Sequence, residues 1–110
     1  MDKDKTLVWL SGEIKTPPFG EKARKEAGFF LRIAQKGIKL SNPPFDPMPE
    51  IEKSCYDLHI RDSEKTWRII LYVDNDFVVI LEVFAKKTKK TPENIKKLCK
   101  KRLKRYQDII

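Results

Sequence analysis

Residues 55–84, CYDLHIRDSEKTWRIILYVDNDFVVILEVF, decide the fold, because their hydrophobicity repeats with a period near two rather than 3.6. In residues 55–61, Tyr56, Leu58 and Ile60 take one face and Asp57, His59 and Arg61 the other, the alternation of a half-buried strand. Residues 62–66 make a turn into residues 67–73. There Trp67, Ile69, Leu71 and Val73 share one face, with Arg68, Ile70 and Tyr72 opposite. Asp74-Asn75-Asp76 signals a tight hairpin. Residues 77–84 are apolar on both faces apart from Glu82, which predicts a central strand covered on both sides.

Upstream, residues 6–10 (TLVWL) read as a first strand. A helix is expected from Gly20 or Glu21 to about Lys36, since Ala23, Ala27, Phe30, Leu31 and Ala34 recur at helical spacing and Gly37 supplies a stop. Residues 41–49 (SNPPFDPMP) hold four of the seven prolines and are expected to be an irregular crossing segment. Downstream, a second helix opens with Thr91 as N-cap, Pro92 at the first helical position and Glu93 at the positive end of the dipole. Ile95, Leu98, Cys99, Leu103 and Tyr106 form its buried stripe. The order β-α-β-β-β-α defines a single α+β domain over residues 1–110, with a mixed or antiparallel sheet of about four strands and a basic C-terminal helix.

Charge is the strongest functional signal. Twenty-four Lys+Arg against sixteen Asp+Glu leave +8, which favours a polyanionic partner. The excess is uneven: residues 86–105 hold eleven Lys/Arg and one acid, Glu93. Four lysines crowd between the end of the last strand and the start of the helix, in VFAKKTKKTP (83–92). Lys89, Lys90, Lys97, Lys101 and Lys104 are candidate phosphate contacts, and binding a polyanion offsets the mutual repulsion. The competing reading of Lys86 and Lys87 is an edge guard against aggregation. That of the helix lysines is a solvated face.

No P-loop, GxGxxG, HExxH or nucleophile elbow occurs, and no cofactor is expected. Cys55 and Cys99 match no metal spacing and, beside one histidine, are expected as buried free thiols in a reducing cytoplasm. The charged start MDKDKT is no secretory leader and no apolar run is long enough to span a bilayer, so a cytoplasmic protein is expected. The side chains suit phosphodiester chemistry without a metal. In RNA the 2′-OH attacks its adjacent phosphate when one group takes its proton, another protonates the leaving oxygen and cations hold the phosphate. His59 and Arg68 are the leading candidates. Alternatively, Arg68 forms a surface ion pair with Asp57 or Asp62 across the hairpin, worth little.

The segments GEIKTPPFGEKARKEAGFFLRIAQKG, PMPEIEKSCYDLHIRD, WRIILYV and VFAKKTKKTPENIKKLCKKRLKRY, spanning residues 12–106, together resemble the RelE/ParE toxin superfamily, in its HigB-like, phage-derived host-killing branch. The resemblance implies a ribosome-dependent mRNA endonuclease of a type II toxin–antitoxin system. Its partners are mRNA on the ribosome and a helix-turn-helix antitoxin encoded alongside. It implies that Arg68 sits on the scissile phosphate, that Lys87 or Lys86 assists the phosphate or leaving group, and that Arg61 matches a further arginine. Asp57 and His59 stand where RelE has two lysines implicated in acid/base work, and where the HigB-like branch more often reads Glu-Leu-Arg. The general base is therefore open between His59 and the lysine pair. Two other readings are a nuclease-dead member that only binds nucleic acid or antitoxin, and a ParE-like gyrase inhibitor.

Overall fold

The computed structural model describes residues 4–10, 19–63, 65–85 and 89–109. Along the chain run strand β1 (Thr6–Trp9), helix α1 (Glu21–Gln35), strands β2 (Phe45–Pro47), β3 (Cys55–Asp62), β4 (Lys65–Val73) and β5 (Phe77–Ala85), and helix α2 (Glu93–Ile109). The strands make one mixed sheet in the order β1-β5-β4-β3-β2. β1 lies parallel to β5, with Thr6 opposite Phe77, and the other pairings are antiparallel.

The two-fold alternation reads directly onto the two faces of the sheet. Leu58, Ile60, Trp67, Ile69, Leu71, Val78 and Ile80 pack with Ala23, Ala27, Leu31 and Ala34 of α1. Ile70, Val79 and Leu81 pack on the other face with Cys99, Leu103 and Tyr106 of α2. β4 and β5 are therefore covered on both sides, which explains their apolar composition.

Two features depart from the sequence expectation. The proline segment contributes a fifth strand, β2, whose Phe45 is buried opposite Leu58. Prolines hide it in the sequence, but an edge strand tolerates them because its outer side needs no ladder partner. The turn between β3 and β4 is also tighter than expected, with Asp62 paired to Lys65.

A register shift opposite Ile70 and Leu71 leaves Leu81 as an extra residue on β5. It puts Glu82 on the same side as Leu81, where Arg102 of α2 donates to the Leu81 carbonyl (2.6 Å) and to Glu82 Oε1 (3.2 Å). Arg102, by sequence one of the helix's polar residues, is thus turned inward to tie α2 to the sheet.

Two glycines are needed for geometry. Gly37 ends α1 at φ +76, where a side chain is strained. At Gly20, the residue before α1, a Cβ would lie 2.8 Å from Asp62 Oδ1. Asp62 Oδ2 accepts from the Gly20 N–H and from Trp67 Nε1, both at 2.9 Å. Gly20 first and Trp67 second hold this carboxyl below its usual range, and the contact joins the start of α1 to the β3–β4 turn.

At the opposite end of the sheet, Tyr106 donates to Asp74 Oδ2 at 2.8 Å. Burial opposes charge on Asp74, but the Tyr106 hydroxyl and the Asp76 and Phe77 N–H groups outweigh it and lower its pKa. A carboxyl with a depressed folded-state pKa stabilises above its unfolded value, near 4, and loses that contribution as pH falls. Asp74→Asn should therefore lower the melting temperature at pH 7, and the deficit should shrink as the pH is taken below about 4. An equal deficit at both pH values would assign the loss to packing.

Cys55 and Cys99 are free and buried. Burial, first of all, pushes both thiols up to about 12. At pH 8 a thiol reagent should label the native protein only as fast as it unfolds; rapid labelling would show that α2 lifts from the sheet.

Candidate active-site cleft

β3 and β4 bring Asp57, His59 and Arg68 to the α2 face of the sheet, with His59 directly opposite Arg68 in the ladder. Arg68 is 5% exposed and Asp57 1%. Arg68 Nε donates to Asp57 Oδ2 at 2.7 Å, and Nη2 also contacts that oxygen. The alternative of an ion pair across the hairpin is met in part: Arg68 pairs with Asp57, but the pair is buried rather than at the surface, and Asp62 is engaged elsewhere. Removing one member of such a pair leaves an uncompensated charge and costs about 3–5 kcal/mol.

Arg68 Nη2 also donates to Thr91 Oγ1 at 2.6 Å. Thr91 is buried, and its hydroxyl, expected to cap α2, serves Arg68 instead. The guanidinium lies 5.3 Å from the centroid of the Phe84 ring. Among the described residues, Arg68 Nη1 and Asp57 Oδ1 are buried without a hydrogen-bond partner.

His59 is half-buried at the edge of this cluster. Its Nε2 lies 3.1 Å from Asp46 Oδ2 and 3.3 Å from Asp57 Oδ2, contacts that become ion pairs when the ring is protonated. These side chains wall a cleft of about 470 Å³, whose lining adds Lys89, Lys90 and Lys96 together with Glu50 and Glu93. Lys96 also lies 3.6 Å from Glu93 and 3.8 Å from Glu50.

The structure thus gathers Arg68, His59, Lys89 and Lys90 at one cleft. Lys86 and Lys87 lie outside the described residues. Arg61, Lys97, Lys101 and Lys104 are exposed and do not line the cleft. At 97, 101 and 104 the spacing puts the lysines on the side of α2 opposite Cys99 and Leu103.

Asp46 and Lys96 escape the sequence reading, and Thr91 enters it only as a helix cap. Asp46 becomes a neighbour of His59 only through β2, and nothing in a proline-rich stretch marks it in advance. Among the described residues no group of three or more His, Cys, Asp or Glu side chains is arranged to hold a metal ion, and no helix is long and apolar enough to cross a membrane.

No curated protein and no solved structure matches the chain. A family model described as phage derived protein Gp49-like (DUF891) matches residues 18–104, from just before α1 to the late turns of α2, and takes in every element of the cleft. With a small α+β fold consistent with a RelE-like arrangement, and a match over most of its length, the chain belongs to the phage-derived Gp49-like family.

Proposed function

We propose that this protein is the toxin of a type II toxin–antitoxin system and cleaves mRNA on the ribosome without a metal. The observation that carries the reading is the buried guanidinium of Arg68, with Nη1 unpartnered, at a lysine-edged cleft beside the only histidine of the chain. A buried donor without an acceptor costs about 1–3 kcal/mol, and a phosphate oxygen supplies the acceptor.

In this reading Arg68, with Lys89 and Lys90, holds the scissile phosphate. Asp46 takes the proton of the 2′-OH as its oxygen attacks phosphorus. The bond from phosphorus to the 5′-oxygen breaks, and that oxygen, on the far side of phosphorus, takes a proton from Lys87 or Lys86, while His59, 3.1 Å from Asp46, holds the base in place. The products are a 2′,3′-cyclic phosphate and a 5′-hydroxyl, with no water consumed. Asp57 anchors Arg68 and His59 alike. Lys86 and Lys87, next in sequence after β5, are the residues that the RelE resemblance assigns to the phosphate or leaving group.

One observation favours a second, binding-only reading: Asp57 already occupies two donors of Arg68, and Thr91 shares one of them. Cleavage assays separate the two. Arg68→Ala strands Asp57 and tests stability before chemistry, so the informative variants are Arg68→Lys and the neutral pair Asp57→Asn with Arg68→Gln. On purified ribosomes, each folded variant should cleave on the order of a hundredfold more slowly than the wild type, as when one preorganised charge donor is removed. His59→Ala should be similarly impaired. End-group mapping should find cyclic phosphates. Growth arrest without cleavage would establish the binding-only reading, and full activity in the neutral pair would remove Arg68 from the chemistry.

The lysines of α2 make a separate prediction. RNA or ribosome binding should weaken steeply with salt, and charge reversal at Lys97, Lys101 and Lys104 should flatten that slope. An unchanged slope would limit the relevant charge to the cleft.

A further inference from the structure

A second cavity, of about 320 Å³, opens on the other side of Arg68. Its character differs from that of the cleft. Phe84, Ala85, Pro92 and Ile95 give it apolar walls, and Asn94 stands with Lys90 as its polar lining. Among the described residues, Arg68 and Lys90 alone line both cavities, and both are cations. The size lies at the small end of ligand pockets, suited to one planar ring system rather than an extended ligand.

We propose that this cavity is a nucleobase pocket, taking one base of single-stranded RNA while the attached phosphate lies at the junction between Arg68 and Lys90. The inference rests on RNA being the partner of the cleft, and adds to it the place where a base is held. Three observations carry it. The junction of the two cavities is cationic, so the backbone of a strand passing from one to the other has its phosphate where the positive charge is. The pocket beyond is apolar and carries an aromatic ring, Phe84, which a base can stack against as bases stack in sequence-tolerant single-strand binders. Asn94, in the first turn of α2, offers an amide donor and an amide acceptor, the pair needed to hydrogen-bond a base edge. A free inorganic anion gains nothing from the apolar walls, and an aliphatic ligand gains nothing from the cations.

The Phe84 ring is already engaged by the Arg68 guanidinium. Occupation of the pocket therefore bears on the same arginine that faces the cleft, and a base seated there orders the phosphate clamp.

The test uses two fluorescein-labelled hexaribonucleotides with the same number of phosphates: hexaadenylate, and a hexamer of the same sugar–phosphate backbone in which hydrogen replaces every base. Anisotropy titrations of the purified full chain should give at least about fivefold tighter binding for the base-bearing strand, the lower end of what one stacked base contributes. Phe84→Leu keeps apolar bulk but removes the ring. Asn94→Leu, at an exposed position, removes the amide that would meet the base edge and adds no aromatic ring. Each should bring the ratio of affinities close to one. Equal affinity for both strands in the wild type, or no measurable binding of hexaadenylate, overturns the proposal, as does a preference that survives both substitutions. Failure of the ribonuclease reading looks different: no cyclic phosphate appears on ribosomes, while the preference for the base-bearing strand persists and depends on Phe84 and Asn94.

Discussion

The buried pair of Arg68 and Asp57 is the constraint around which the second face of the sheet is organised. A guanidinium out of water must be matched by a negative charge and by hydrogen bonds, or it destabilises the fold by several kcal/mol. Asp57 supplies the charge from β3, and Thr91 supplies a hydroxyl from the residues that lead into α2. Two segments, β3 and the lead into α2, are thereby fixed to one side chain of β4. His59 then takes its position from the same carboxylate, with β2 delivering Asp46 to its other side. Replacing such a buried charged cluster whole by apolar side chains of similar volume is often neutral for stability, whereas removing one member alone is costly.

Much of this architecture is legible in the sequence because it follows from periodicity. Alternation in residues 55–84 assigns Leu58, Ile60, Ile69 and Leu71 to one face and Arg68 and Ile70 to the other, as the two core clusters show. The end of α1 at Gly37 is equally plain. What escapes is what depends on pairing across the sheet. β2 has no periodicity of its own and exists because Phe45 finds Leu58. Glu82 looks like a lone polar interruption in a buried strand until the bulge turns it toward Arg102. Arg68 reads as a surface residue because an alternating strand places it opposite the hydrophobic face, and no local signal says that α2 will cover that side as well.

The same limit applies to the cleft. His59, Arg68, Lys89 and Lys90 stand out as residue types in the sequence, and the fold brings them together. Asp46 and Lys96 are ordinary by type and gain meaning only from their neighbours. The helix lysines divide: Lys96 turns to the cleft, while Lys97, Lys101 and Lys104 form an outward stripe. A charge run visible in sequence therefore separates into two surfaces with different geometry.

The parallel pairing of β1 with β5 carries a consequence for the order in which the molecule assembles. Thr6 waits for Phe77 before it has a ladder partner, and Arg68 waits for Thr91. During synthesis the β3–β4 hairpin can form from neighbouring residues, but at that stage the guanidinium has only Asp57 and no cover. β1 is paired only once β5 is available, and the cleft is complete only when the segment leading into α2 has joined it. Contacts of such long sequence separation slow folding. A chain without the residues beyond 88 lacks Lys89, Lys90 and Thr91 together, so the guanidinium of Arg68 then has Asp57 but neither its hydroxyl acceptor nor its neighbouring cations.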